Sequence, residues 1–159
     1  LLDEPKTTNE LLINDARTLH INNADLVIAL KVDSYKNEKA SGVATYYYGR
    51  DDKKIHSVVG ERFANLMQRE ICARTDLLNC RTHAKSWDLL RLTVAPTVRV
   101  DLGYLSNPQD AKRLSDPAFR DQLAEAMIVA IQRLYLSAED DAKTGTLRIS
   151  DLRRAGIRN

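Results

Sequence analysis

The sequence predicts an α/β domain with a mainly parallel sheet flanked by helices on both faces. Three observations carry that reading. Helix-like and strand-like segments alternate along the chain, the run Ala24 to Leu30 is largely apolar, and a long amphipathic stretch follows Asp116-Pro117. The 159 residues are 43% hydrophobic with only 6 Gly and 4 Pro, which excludes disordered and collagenous classes and leaves one ordinary globular core.

The elements follow in order. From Thr8 to Asn22 the apolar positions Leu11, Leu12, Ala16 and Leu19 recur at helical steps, with Asn9 or Thr8 as cap. Ala24 to Leu30, closed by Lys31, has the pattern of a central strand buried on both faces. Lys31 to Ser41 is a polar loop, and the β-branched and aromatic run between Gly42 and Gly49 is a second strand. Ser57 caps a helix to about Arg74, its stripe formed by Val59, Phe63, Leu66, Met67 and Ile71, with Glu61 and Glu70 facing outward. Arg81 to Val94 is weakly patterned, and Leu89 to Leu92 is expected as a short strand. Thr97 to Leu102 is a strand, and Gly103 to Pro108 turns sharply out of it. Asp116 and Pro117 start the last helix, striped by Phe119, Leu123, Ala126, Met127, Ala130, Ile131 and Leu134. Residues 1–136 thus read as the domain, and 137–159 as a polar to basic tail with one short helix around Ser150 to Ala155.

Charge and cysteine usage narrow the function classes. Lys and Arg number 24 against 22 Asp and Glu, so the net charge of +2 makes neither nucleic acid nor an anionic membrane a default partner. No segment reads as a membrane span. Cys72 and Cys80 lack metal-ligand spacing and read as reduced thiols in an intracellular setting, with a single bridge between them as the alternative. The chain begins at Leu1 without a signal-like order of residues, so an upstream part is expected to be missing.

Function enters through three segments: Ala24 to Asp33, Leu90 to Asp110 and Leu114 to Tyr135. Pro96, an apolar strand, then Gly103, Tyr104, Leu105, Ser106, Asn107, Asp110 and Leu114 stand at the offsets of a signature of the zinc-dependent N-acetylmuramoyl-L-alanine amidases of the third amidase family. The chain resembles that family from about Leu11 to Tyr135. The resemblance implies a zinc-hydrolase type of fold and, in active members, cleavage between the glycan and the peptide stem of peptidoglycan. It also places a zinc-binding His at Lys31 and a catalytic Glu at Asp101. The family's other His and Glu ligands fall before Leu1. An ammonium has no lone pair to give a metal, and an aspartate is one methylene shorter than the glutamate it replaces. The expectation is therefore a pseudoenzyme without a cofactor. It resembles most a degenerate branch of the family that regulates peptidoglycan precursor synthesis in the cytoplasm. That implies a protein partner, UDP-N-acetylglucosamine enolpyruvyl transferase, with a muramyl-peptide-like ligand as a further candidate. The alternative is an active zinc amidase acting at the cell wall.

The remaining candidates carry two readings each. Lys31 either snorkels to solvent or lies in the former zinc cleft, where its Nζ is expected within about 4 Å of a carboxylate such as Asp101. Asp101 is either a solvated residue before a glycine turn or part of the cleft at the carboxyl end of its strand. Arg99, two residues earlier on the same strand face, reaches a surface acid or helps rebuild a polar site. Asp33 and Asn107 complete the cleft candidates. His20, His56 and His83 share no ligand spacing. Tyr46, Tyr47, Tyr48 and Trp87 are packing residues or an exposed aromatic patch for a partner.

Overall fold

Five strands form one mixed sheet in the computed structural model, which describes residues 23–50 and 54–136. In chain order the elements are β1 (Val27–Asp33), β2 (Val43–Arg50), β3 (Ile55–His56), α1 (Val58–Arg74), β4 (Asn79–Lys85), α2 (Asp88–Leu92), β5 (Thr97–Tyr104), α3 (Pro108–Ser115) and α4 (Pro117–Tyr135). β5 lies between β1 and β2, β4 pairs with β2 along its other edge, and the short β3 pairs with the end of β2. The expected helix from Thr8 to Asn22 and the expected tail helix lie outside the described residues.

The sheet is less parallel than the sequence suggests. β1 runs parallel to β5 and β4 parallel to β2, but β2 runs antiparallel to both β5 and β3. An apolar strand pattern is the same in either direction, so it carries no signal for this. Among the described residues, the strand expected at the centre stands at an edge. β1 has β5 as its one neighbour among the described residues, and Leu30 is 58% exposed. Of the described strands β5 has a neighbour on each side, with Val98 and Val100 fully buried.

Helix α1 forms where its signals place it. The Ser57 Oγ accepts from the Gly60 amide at 3.0 Å, and Phe63, Met67 and Ile71 are fully buried. Two positions depart from the expected stripe: Val59 is half exposed, and Glu70 is buried instead of facing outward. Glu70 survives burial because Arg69 and Arg74 of α1 and Arg133 of α4 surround it. Helix α4 starts on Asp116, whose side chain accepts from the Ala118 amide at 3.0 Å. It buries Phe119, Leu123, Ala126 and Ala130 in a core shared with α1 and one face of the sheet.

Four elements were not foreseen, the shortest being β3, two residues paired with the end of β2. Asn79–Lys85 forms β4, hidden in the sequence because an edge strand exposes polar residues at alternate positions. Leu89 to Leu92 is helical in α2, not a strand; two adjacent buried leucines are too short a run to show a period. Pro108–Ser115 forms α3 immediately after the turn that leaves β5.

The turn itself is built around a buried acid. Asp110 is 1% exposed, and its Oδ2 accepts from the Gly42 amide at 2.9 Å and the Tyr104 amide at 3.1 Å. Both neighbouring glycines have positive φ, +102° at Gly42 and +135° at Gly103. A Cβ on Gly103 would stand 2.9 Å from Asp110 Oδ2, so a larger residue is blocked by space as well as by conformation.

Candidate polar site on the sheet face

Side chains two apart on a strand share a face, and the register between β1, β5 and β2 brings four charged groups together. Lys31 stands beside Asp101, which in turn stands beside Ala44, while Arg99 pairs across to Tyr46. Lys31, Asp33, Arg99, Asp101 and Tyr46 therefore lie on the face away from the core that Val98 and Val100 share with α1 and α4.

Asp101 is clamped by its own strand. Arg99 Nε donates to Oδ1 at 2.6 Å and a terminal nitrogen donates to Oδ2 at 2.7 Å, a two-pronged pair with side chains only 22% and 12% exposed. The acid that Arg99 reaches is thus Asp101, two residues along its own strand. The guanidinium carbon lies 4.4 Å from the centroid of the Trp87 ring and 5.6 Å from that of Tyr46. The two rings are themselves 4.7 Å apart and tilted. Burial works against the Arg99 charge, but its hydrogen bonds to Asp101 outweigh this and hold its pKa above the ordinary arginine value. Burial, reinforced by the Asp101 charge, pushes the Tyr46 hydroxyl up.

Lys31 has a different partner from the one first expected of it. Its Nζ lies 3.1 Å from Asp33 Oδ2, so a carboxylate is within reach, but Asp101 is taken by Arg99. The Lys31–Asp33 pair is 44% and 36% exposed. The Ser34 amide donates to Asp33 Oδ1 at 2.8 Å, and this bond, with Lys31 second, lowers the Asp33 pKa. An ion pair this exposed contributes at most about 1 kcal/mol. Lys31→Ala is accordingly expected to shift the urea midpoint slightly, with a cost below ~1 kcal/mol. A larger loss would show that Lys31 carries part of the fold.

Asn107 is not part of this cluster. Its Oδ1 accepts from the Gln109 and Asp110 amides as the cap of α3, and its Nδ2 donates to the Glu38 carbonyl at 2.8 Å. His56 faces Glu61 at 3.0 Å and His83 faces the Cys80 carbonyl at 2.7 Å, while His20 lies outside the described residues. Cys72 and Cys80 are both free thiols, not bridged. Tyr46 and Trp87 are the participants that sequence reasoning left as packing or interface residues; the Arg99-x-Asp101 spacing was visible, but nothing local marked the aromatic cover.

The donor chemistry does not suit zinc. Lys31 brings an ammonium, both Asp101 oxygens face a guanidinium, and no three His, Cys, Asp or Glu among the described residues are grouped to hold a metal ion. What the cluster offers is a charge-balanced, aromatic-covered patch with no free carboxylate at Asp101 to act as a base.

Comparison with known proteins supplies the relatives. The sequence profile of the family described as N-acetylmuramoyl-L-alanine amidase matches residues 2–133. The chain is 42% identical over 137 residues to N-acetylmuramoyl-L-alanine amidase CwlM of Mycobacterium tuberculosis, covering 86% of this chain and 34% of that protein. It is 28% identical to the germination-specific N-acetylmuramoyl-L-alanine amidase of Bacillus subtilis over 74% of this chain and 47% of the relative. The chain thus spans between about a third and a half of the length of these curated relatives. Among solved structures, the CwlD amidase of Clostridioides difficile in complex with the GerS lipoprotein superposes with a TM-score of 0.69 at 24% identity, over 81% of this chain and 66% of that one. The N-acetylmuramoyl-L-alanine amidase of Clostridium difficile 630 gives 0.68 at 20% identity, over 76% and 63%. These likenesses show the fold.

Proposed function

Since the chain belongs to the N-acetylmuramoyl-L-alanine amidase family, we propose that it is a catalytically inactive amidase-like domain that regulates peptidoglycan synthesis by binding another protein. The observation that carries this reading is the Arg99 fork on Asp101. At the position where the resemblance puts the family's catalytic carboxylate, both oxygens are committed to a guanidinium, so accepting a proton from water would require breaking a buried, two-pronged ion pair. Lys31, where the resemblance puts a zinc ligand, adds a second cation on the neighbouring strand. In this reading the two cations stand in with fixed protein charge for the metal charge of an active relative.

The partner in this reading is an enzyme of peptidoglycan precursor synthesis, with UDP-N-acetylglucosamine enolpyruvyl transferase the candidate that the resemblance implies and a muramyl-peptide-like ligand the further candidate. Residence in the cytoplasm belongs to the same proposal. No helix among the described residues is long and apolar enough to cross a membrane.

Metal analysis and a hydrolysis assay on the purified protein test the reading together. Expected are far less than one zinc per chain and no release of peptide from peptidoglycan. Stoichiometric zinc with measurable turnover would assign the chain as an active amidase and remove the pseudoenzyme reading.

A further inference from the structure

The segment between β1 and β2 is held far more firmly than its burial would achieve. Residues 34–39 are all exposed, and a stretch with so few core contacts is ordinarily among the first to open. Hydrogen bonds fix it instead. The Tyr35 amide donates to Ser106 Oγ at 3.0 Å, Asn107 Nδ2 donates to the Glu38 carbonyl at 2.8 Å, and the Gly42 amide donates to the buried Asp110 at 2.9 Å. Within the segment, Asn37 accepts from the Lys39 amide through its side chain and from the Ala40 amide through its carbonyl. Together with the turn after β5 the segment makes a rigid ledge at the carboxyl end of the parallel β1–β5 pair.

What this ledge presents is apolar and cationic. Tyr35 and Leu105 are each 61% exposed. The Leu105 amide donates to the Asp33 carbonyl at 2.8 Å while the Tyr35 amide bonds Ser106, so the same bonds that fix the backbone hold these two residues near each other. Lys36 and Lys39 follow Tyr35, are exposed, and make no ion pair among the described residues. Lys112 on α3, the helix that starts at the turn, is exposed and without an ion pair in the same way. Against these cations the segment sets one exposed acid, Glu38, because Asp33 is taken by Lys31 and the Ser34 amide.

Two properties decide how such a surface is read. The amides of Ser34, Tyr35, Lys39, Ala40 and Gly42 are already bonded, so no row of free donors is left for an added strand or a cradled oxyanion. Recognition falls to the side chains. A tyrosine and a leucine on a backbone already fixed lose little freedom on contact, which is how interface anchors gain affinity. The unpaired lysines select an acidic partner, and they oppose a second copy, which would set the same cations against each other across a two-fold axis. We propose that the ledge docks a partner protein through an apolar side chain set between carboxylates. The proposal rests on the regulatory reading above and adds where the partner is held and by what chemistry.

The test uses the full chain and a fluorescein-labelled ten-residue peptide with Leu-Phe at its centre and four Glu on each side, followed by anisotropy at low salt. One control peptide replaces every Glu by Gln, and a second replaces Leu-Phe by Ser-Ser. The first peptide is expected to bind, each control at least about tenfold more weakly, with affinity falling as salt is raised. Tyr35→Ser and Leu105→Ser remove exposed side chains, so the melting temperature should hold while affinity drops about tenfold in each. Lys36→Gln with Lys39→Gln should flatten the salt dependence, and Lys54→Gln should leave binding unchanged. No binding of the first peptide, equal binding of either control, unaltered affinity in Tyr35→Ser, or equal affinity for a single-stranded oligonucleotide would each overturn the proposal. So would sedimentation showing a dimer that Leu105→Ser dissolves, which would assign the ledge to a second copy. Zinc and turnover with peptide binding intact would remove the regulatory reading alone, and absent peptide binding in a chain without zinc or turnover would remove the ledge alone.

Discussion

Asp110→Ala is expected to destabilise the fold by about 3 kcal/mol or more, read as a fall in the urea midpoint without a change in slope. The side chain is 1% exposed and supplies the acceptor for two backbone amides, those of Gly42 and Tyr104. Removing it leaves both donors without that partner where water cannot easily follow, and each such group costs roughly 1–3 kcal/mol. Arg113 is spared, because it also makes a two-pronged pair with Asp76. Asp110→Asn keeps an oxygen in nearly the same place and should cost clearly less than the alanine change. If the alanine variant lost under 1 kcal/mol, the carboxylate would not be what ties the loop before β2 to the turn after β5.

The second large effect concerns the clamp. Arg99→Ala strips the partner from a carboxylate that is 12% exposed and removes the cation that stands beside Trp87 and Tyr46, so a loss of about 2–4 kcal/mol is expected. Asp101→Asn should also destabilise, by leaving the guanidinium without its anion. The double variant should lose less than the two singles combined, with a coupling of about 1–3 kcal/mol measured by chemical denaturation of all four proteins. Simple additivity would mean that the pair is a neighbourly contact and not a clamp, and it would take away the main support for an inactive site.

The fold was legible where local chemistry announced it. Ser57 and Asp116 are capping residues followed by helical apolar spacing, and both helices start on them. Val43 to Gly49 and Thr97 to Leu102 are β-branched or apolar runs, and both are strands. Legibility failed where an element buries little or where the answer depends on a distant neighbour. β4 alternates polar residues along an edge, and the direction of β2 against β5 is set by chain connection. The site divides the same way. Alternation along one strand already put Arg99 and Asp101 on one face, while the choice of Arg99 over Lys31 as the partner of Asp101 depends on side-chain reach that spacing does not encode. Trp87 arrives from twelve residues away, so its place over Arg99 was beyond any local pattern.

The aromatic cover of the clamp has an optical consequence. Trp87 is the single tryptophan in the chain, and its ring lies close to both the Arg99 guanidinium and the Tyr46 ring. Indole emission depends on nearby charge and on access of water, so all the tryptophan emission of this protein originates at one small region, the edge of the Arg99–Asp101 pair. Any event that opens the pair, whether a partner's approach, a substitution or local melting, therefore registers as a change in emission colour or intensity without a label being attached.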